Sequence, residues 1–166
     1  AVAKSKKGLV LISREKAADN KAAQFRFEES AYAGFDDDLT YYIRPVTANG
    51  MVLGNNDSGE NNARIVSEAV NPDNRGQYWN IKTIDLHTFA VENAFYGQNF
   101  DDGGGNASID YLLQWPAVAG IWNNAKFRFE PVENVEGAYL IVSAGKSDKM
   151  YALREGRMML VPYDAA

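Results

Sequence analysis

The sequence predicts an all-β domain assembled from repeats. Two observations predict it. Short apolar and aromatic runs alternate with clusters of Gly, Asn and Asp along the chain, and no window carries a long amphipathic helix. A short pattern also recurs at intervals of roughly 50 residues.

The runs, in order, are strand-sized. Gly8 to Ile12 opens the series, and Leu9 to Ser13 reads as a strand. Lys16 to Ala23 is alanine-rich but short, and reads as a loop with one turn of helix. Gln24 to Phe27, Tyr41 to Val46, Arg64 to Val66 and Tyr78 to Ile81 follow. Thr88 to Val91, Phe127 to Phe129, Tyr139 to Val142 and Met158 to Pro162 complete the clearest candidates. Asn49-Gly50, Asn55 to Gly59, Gly103 to Gly105 and Glu155-Gly156 break the chain between them.

The repeat is anchored on late aromatics. Asp19-Asn20 precedes Gln24-Phe25 at the same spacing at which Asp73-Asn74 precedes Tyr78-Trp79, and Asn124 precedes Phe127 in a third copy. Leu11-Ile12-Ser13 aligns on Ile65-Val66-Ser67. Tyr42 opens the unit that Trp79 closes, and Phe89 opens the one that Phe127 closes. Tyr139 opens a unit whose closing strand would fall past the last residue, while Phe25 closes one with no opening strand before it. The expected organisation is therefore one domain over 1–166, with repeats at about 39–84, 86–132, and 137–166 joined to 8–30. Three units of four strands make twelve, and about thirteen candidates are present, because Leu9 to Ser13 and Met158 to Pro162 compete for one place. The anchors Phe25, Trp79 and Phe127, with Phe27, Ile81 and Phe129, are expected in the core, since one four-stranded unit cannot bury its apolar face alone.

Composition removes several function classes. The net charge of -5 argues against a nucleic-acid partner. No Cys is present, which removes thiol nucleophiles and Cys-ligated metals, and His87 is the one histidine, which removes a multi-His metal site within the chain. No apolar run reaches the roughly 18 residues of a membrane span. The basic start, residues 1–7, is not followed by a signal-peptide apolar stretch. The oxygen-rich segment Asn55 to Asn62 lacks EF-hand spacing, so no metal is expected there. No cofactor motif is found.

Three units of this size, each with four short strands and a late aromatic, resemble a β-trefoil. Gln77-Tyr78-Trp79 resembles the Gln-x-Trp repeat of ricin-B-type (R-type) lectin domains, with degraded copies at Ala23-Gln24-Phe25 and Ala125-Lys126-Phe127. The resemblance implies a sugar site with a stacking aromatic twelve residues before the anchor, an Asn three before it, and an acid after the second strand. Trp115, followed by Pro116, and Asn124 meet the first two positions, and Asp101 and Asp102 lie where the acid belongs. The unit ending at Trp79 has Ser67 and Gly76 instead, and the split unit has Ser13 and Ala22. Where the family carries a Gln beside the Asn, this chain has Ala125. Trp122 reads either as a second stacking face or as a loop anchor.

The resemblance thus implies a non-catalytic carbohydrate-binding module with one sugar site at Asp101, Asp102, Trp115 and Asn124. Its implied partner is a glycan or polysaccharide, with no nucleic acid, no metal and no membrane insertion. It further implies an extracellular, cell-surface or periplasmic setting, either alone or attached to a larger protein. The alternative is a protein-interaction trefoil that contacts its partner through the loops Asn55 to Asn62 and Phe100 to Ala107.

Overall fold

The computed structural model describes residues 2–5, 8–11, 20–33, 39–116 and 122–163. Among them lie fourteen strands. They are β1 (Val2–Ser5), β2 (Gly8–Leu11), β3 (Gln24–Ala33), β4 (Leu39–Pro45), β5 (Met51–Gly54), β6 (Val66–Ala69) and β7 (Trp79–Thr83), then β8 (Phe89–Asn93), β9 (Asn99–Asp101), β10 (Leu113–Trp115), β11 (Phe127–Pro131), β12 (Ala138–Ser143), β13 (Lys149–Arg154) and β14 (Arg157–Pro162). Three single 3-10 turns, Lys21–Ala23, Arg75–Gln77 and Asn123–Ala125, each enter the last strand of a repeat.

Six strands close on themselves. Antiparallel pairings run β4 to β7, β7 to β8, β8 to β11, β11 to β12, β12 to β3 and β3 back to β4. Closure leaves no free edge among these six, which is how an antiparallel sheet avoids exposing unpaired backbone groups. Three hairpins, β5–β6, β9–β10 and β13–β14, cover one end of this barrel. This is the trefoil arrangement that the repeats predict.

The competition for the third strand of the split repeat is settled by pairing. Met158 to Pro162 lies in β14 and pairs with β13. Leu9 to Leu11 instead pairs with Val2 to Ala3 and Lys4 in a separate two-stranded sheet, β1–β2, and Ile12 and Ser13 lie outside the described residues. The alignment of Leu11 on Ile65 is thereby overturned, because Met158 takes that place. Of the alanine-rich segment, 16–19 lie outside the described residues and Lys21–Ala23 is the turn of helix.

The core is four layers of three. Ile43, Val91 and Ile141 come from the first strands of the repeats, and Leu53, Phe100 and Tyr151 from the second. Met158 comes from the third, Ile65 and Leu112 stand one residue before the third strand of their repeats, and Trp79, Phe127 and Phe25 come from the fourth. All twelve are buried. Each such side chain removed from water stabilises the fold by about 1.5–3 kcal/mol before the entropy of ordering is counted. The third layer is joined through its backbone: Ile65 N–H donates to Leu112 C=O at 3.0 Å, Leu112 N–H to Met158 C=O at 2.9 Å, and Met158 N–H to Ile65 C=O at 3.4 Å. The indole N–H of Trp79 is satisfied by Leu53 C=O at 2.9 Å. At the other end of the barrel, Phe27, Ile81 and Phe129 with Tyr41, Phe89 and Tyr139 line an apolar cup of about 340 Å³.

Candidate functional site

β9 ends at Asp101, Asp102 follows directly, and successive residues of extended chain point to opposite faces. Asp101 and Asp102 therefore part company. Asp101 lies opposite Leu113 in the β9–β10 hairpin and is 4% exposed. Its Oδ1 accepts the Gly103 N–H at 2.7 Å, and its Oδ2 accepts from Asn124 Nδ2 at 2.6 Å. Asn124 sits on the 3-10 turn before β11, and its carbonyl accepts the Asp102 N–H at 2.9 Å. Trp115 ends β10 and keeps 41% of its surface in water.

Asp101, Trp115 and Asn124 line one pocket of about 230 Å³, together with Asn62, Gly103, Gly104, Ile109 and Leu113. The turn that forms its rim requires glycine. Gly103 has φ +81°, and a Cβ there would stand 2.5 Å from Cγ2 of Ile109. Burial raises the Asp101 carboxyl above its ordinary value, and the neighbouring Asp102 acts in the same direction, while the Gly103 N–H, Asn124 and Lys146 oppose the rise. A carboxylate has about four lone-pair positions, and the two protein bonds leave about two for a ligand.

Asp102 does not join them. It is fully buried, with Oδ1 on the Gly104 N–H at 2.8 Å and Oδ2 on the Ser143 hydroxyl at 2.5 Å. Lys146 Nζ caps its carbonyl at 2.6 Å. The residue clamps the second repeat to the third. Among the four expected residues, the structure brings three to one pocket and gives the fourth a structural place.

Asn62, Ile109 and Leu113 were not anticipated. Leu113 was within reach, since it faces Asp101 across the hairpin register. Asn62 carried no signal, because it arrives from the first repeat. Its loop is held by the buried Gln114, whose Nε2 donates to Ser58 C=O at 2.9 Å and Glu60 C=O at 2.7 Å and whose Oε1 accepts from Asn55 Nδ2 at 2.8 Å. Asn62 N–H then donates to Gln114 C=O at 2.9 Å. The polar loop Asn55 to Asn62 thus spends oxygens on Gln114, and no cluster of three or more His, Cys, Asp or Glu suited to a metal occurs among the described residues.

The three hairpins share one register: Asp101 faces Leu113, Gly54 faces Val66, and Ala152 faces Met159. The corresponding positions in the other repeats are filled. In the first repeat Glu68 stands at the place of Trp115 and lays its carboxylate over Gly54, where an added Cβ would meet it at 2.6 Å. That carboxylate accepts from Asn56 N–H at 2.5 Å, Asn74 Nδ2 at 2.7 Å and Gln77 Nε2 at 3.0 Å. In the split repeat the places belong to Ala152, Val161 and Ala22, which pack into an apolar cluster with Ala23, Val142 and Met150. The residues to compare with Trp115 are therefore Glu68 and Val161, rather than Ser67 and Ser13.

Comparison with known proteins agrees with this architecture. No protein-family model and no curated protein sequence matches the chain. Solved structures do. The designed 3-fold symmetric protein ThreeFoil superposes with a TM-score of 0.59 at 13% identity, over 87% of this chain and 92% of that one. A BEL β-trefoil in an apo crystal form matches with a TM-score of 0.56 at 14% identity, over 86% of this chain and 88% of that one. A lectin of Polyporus squamosus, bound to the epitope Neu5Acα2-6Galβ1-4GlcNAc, matches with a TM-score of 0.54 at 18% identity, over 85% of this chain and 43% of its own. At these identities the likeness speaks to fold alone, and the fold is the β-trefoil.

Proposed function

We propose that the chain is a non-catalytic carbohydrate-binding module with one sugar site, formed by Asp101, Trp115 and Asn124. The observation that carries this reading is the Asp101 carboxylate, hydrogen-bonded to the Asn124 amide at 2.6 Å, in a pocket walled by the exposed ring of Trp115. A pyranose has an apolar C–H face and a rim of hydroxyls. A flat ring serves the face, and a carboxylate with free lone pairs beside an amide serves the rim. An exposed tryptophan in one pocket with a desolvated acid is a costly arrangement for stability, and a ligand that covers both gives it a use.

The acid count of this pocket supports binding without turnover. Glycoside hydrolysis ordinarily uses two carboxyls across the scissile bond. Asp101 is the one acid lining this pocket among the described residues, and Asp102 is engaged by Ser143. Part of the Polyporus squamosus lectin, which was solved bound to a glycan epitope, has the same fold, and this likeness supports a glycan partner and with it an extracellular, cell-surface or periplasmic role, in a free-standing module or one joined to a larger protein.

The test is a glycan-array screen of the wild type beside Trp115→Ala, with circular dichroism on both. The expected result is binding by the wild type and a loss of about tenfold or more in the folded variant, since truncating an aromatic anchor costs upwards of about 1 kcal/mol. A folded wild type that binds no glycan overturns the reading and turns attention to protein partners of the polar loops.

A further inference from the structure

Gly104 and Asn124 line two clefts at once. One is the pocket of Asp101 and Trp115. The other, about 440 Å³, adjoins it at the same two residues and is lined by Trp122, Asn123, Gly105, Gly145 and the Ser143-bonded Asp102. Of the three tryptophans in the chain, Trp79 is buried in the core, and the other two stand one in each cleft. Trp122 is 61% exposed.

Trp122 is not an isolated surface ring. It immediately precedes the 3-10 turn that carries Asn124, and its carbonyl accepts the Ala125 N–H at 3.1 Å. The turn is fixed to β9 through the bond from Asp102 N–H to Asn124 C=O. Both aromatic walls are thus tied by short links to the Asp101–Asn124 pair. The ridge between the clefts is low. Gly104 has no side chain, and the nearest atoms to a Cβ there would be those of Asn124, at 3.9 Å, while one on Gly105 would find nothing within 4 Å. The second cleft offers the polar edges of Asn123 and Asn124 beside its ring.

We propose that this face takes an oligosaccharide over two consecutive rings, one against Trp115 and Asp101 and the next across Gly104 against Trp122. The proposal rests on the sugar reading of the Trp115 pocket and extends it to a substrate class: chains of at least two sugars, in preference to single ones. Asn124, which lines both clefts, would contact both rings.

The test titrates the chain with galactose, glucose and N-acetylglucosamine, and with lactose, cellobiose and chitobiose, whose non-reducing rings are those three sugars. Binding is read by calorimetry on the wild type, Trp122→Ala and Gly104→Asn. Asn tolerates the positive φ of Gly104 and puts a side chain on the ridge. At least one disaccharide is expected to bind about tenfold or more tighter than its own monosaccharide, a gain of about 1.4 kcal/mol. Trp122→Ala should erase that gain and leave the monosaccharide affinity within about twofold, and Gly104→Asn should erase the gain as well. A gain that survives both variants, or no gain in any pair while monosaccharides bind, overturns the two-ring proposal and leaves the Trp115 pocket standing. Failure of all six sugars on folded protein overturns both.

Discussion

Asp101 has to stay ionised in a place that disfavours charge. Its folded-state pKa lies above the ordinary 3.8 because burial withdraws it from water. For stability, the sign of this shift is that protonation favours the folded state: the contribution is complete below 3.8 and is lost as the pH rises through the raised folded value. For binding, the sign is the reverse, because hydroxyl donors need the carboxylate. Sugar affinity should therefore fall on acidification with a midpoint above 3.8, and Asp101→Asn should bind weakly with that acid limb gone, as a calorimetric series across pH would read. The choice between Asp101 and Asp102 was not legible in the sequence. Two adjacent acids satisfy the same spacing, and what separates them is Ser143 and Lys146, some forty residues further on, which claim Asp102. Trp115 and Asn124 were legible because each keeps a fixed offset from the buried Phe127.

At the scale of the element, one hairpin register holds three different contents. Trp115 leaves its pocket open, Glu68 closes the equivalent place with its own carboxylate, and Val161 fills the last with hydrocarbon. Glu68→Ala would leave the Asn56 N–H, Asn74 and Gln77 without their acceptor. A cost of about 1–3 kcal/mol is expected, read as a drop of several degrees in thermal midpoint, with sugar affinity at Trp115 unchanged. Titration should also give one site per chain. Counting back from the anchors missed Glu68 by one position, because fourteen residues separate Ile65 from Trp79 and fifteen separate Leu112 from Phe127. It missed Val161 altogether, because in the split repeat the third strand and the anchor stand at opposite ends of the chain. Offsets work only where the intervening turn keeps its length.

For the whole molecule, the repeat of apolar positions specified the architecture. Each of the four core layers draws one residue from each repeat, and the aromatic anchors were readable because burial tolerates little but size and shape there. The duplicate candidate for the third strand was not resolvable, since a strand-sized apolar run looks the same whether it closes a repeat or pairs with a neighbour in its own hairpin. Leu112, fully buried, carries the core prediction: Leu112→Ala should cost about 2–5 kcal/mol in denaturant unfolding, through lost contact and a residual cavity.

The backbone ring of Ile65, Leu112 and Met158 gives each repeat a valence. At that position every repeat presents one N–H and one C=O, and neither is answered within the repeat. One repeat therefore has the bonding pattern of a subunit in a cyclic trimer, and two together still carry one open donor and one open acceptor. A chain cut down to the single repeat over 39–84 should gather into threes, and mixing in the rest of the fold should compete with that gathering, as sedimentation would read.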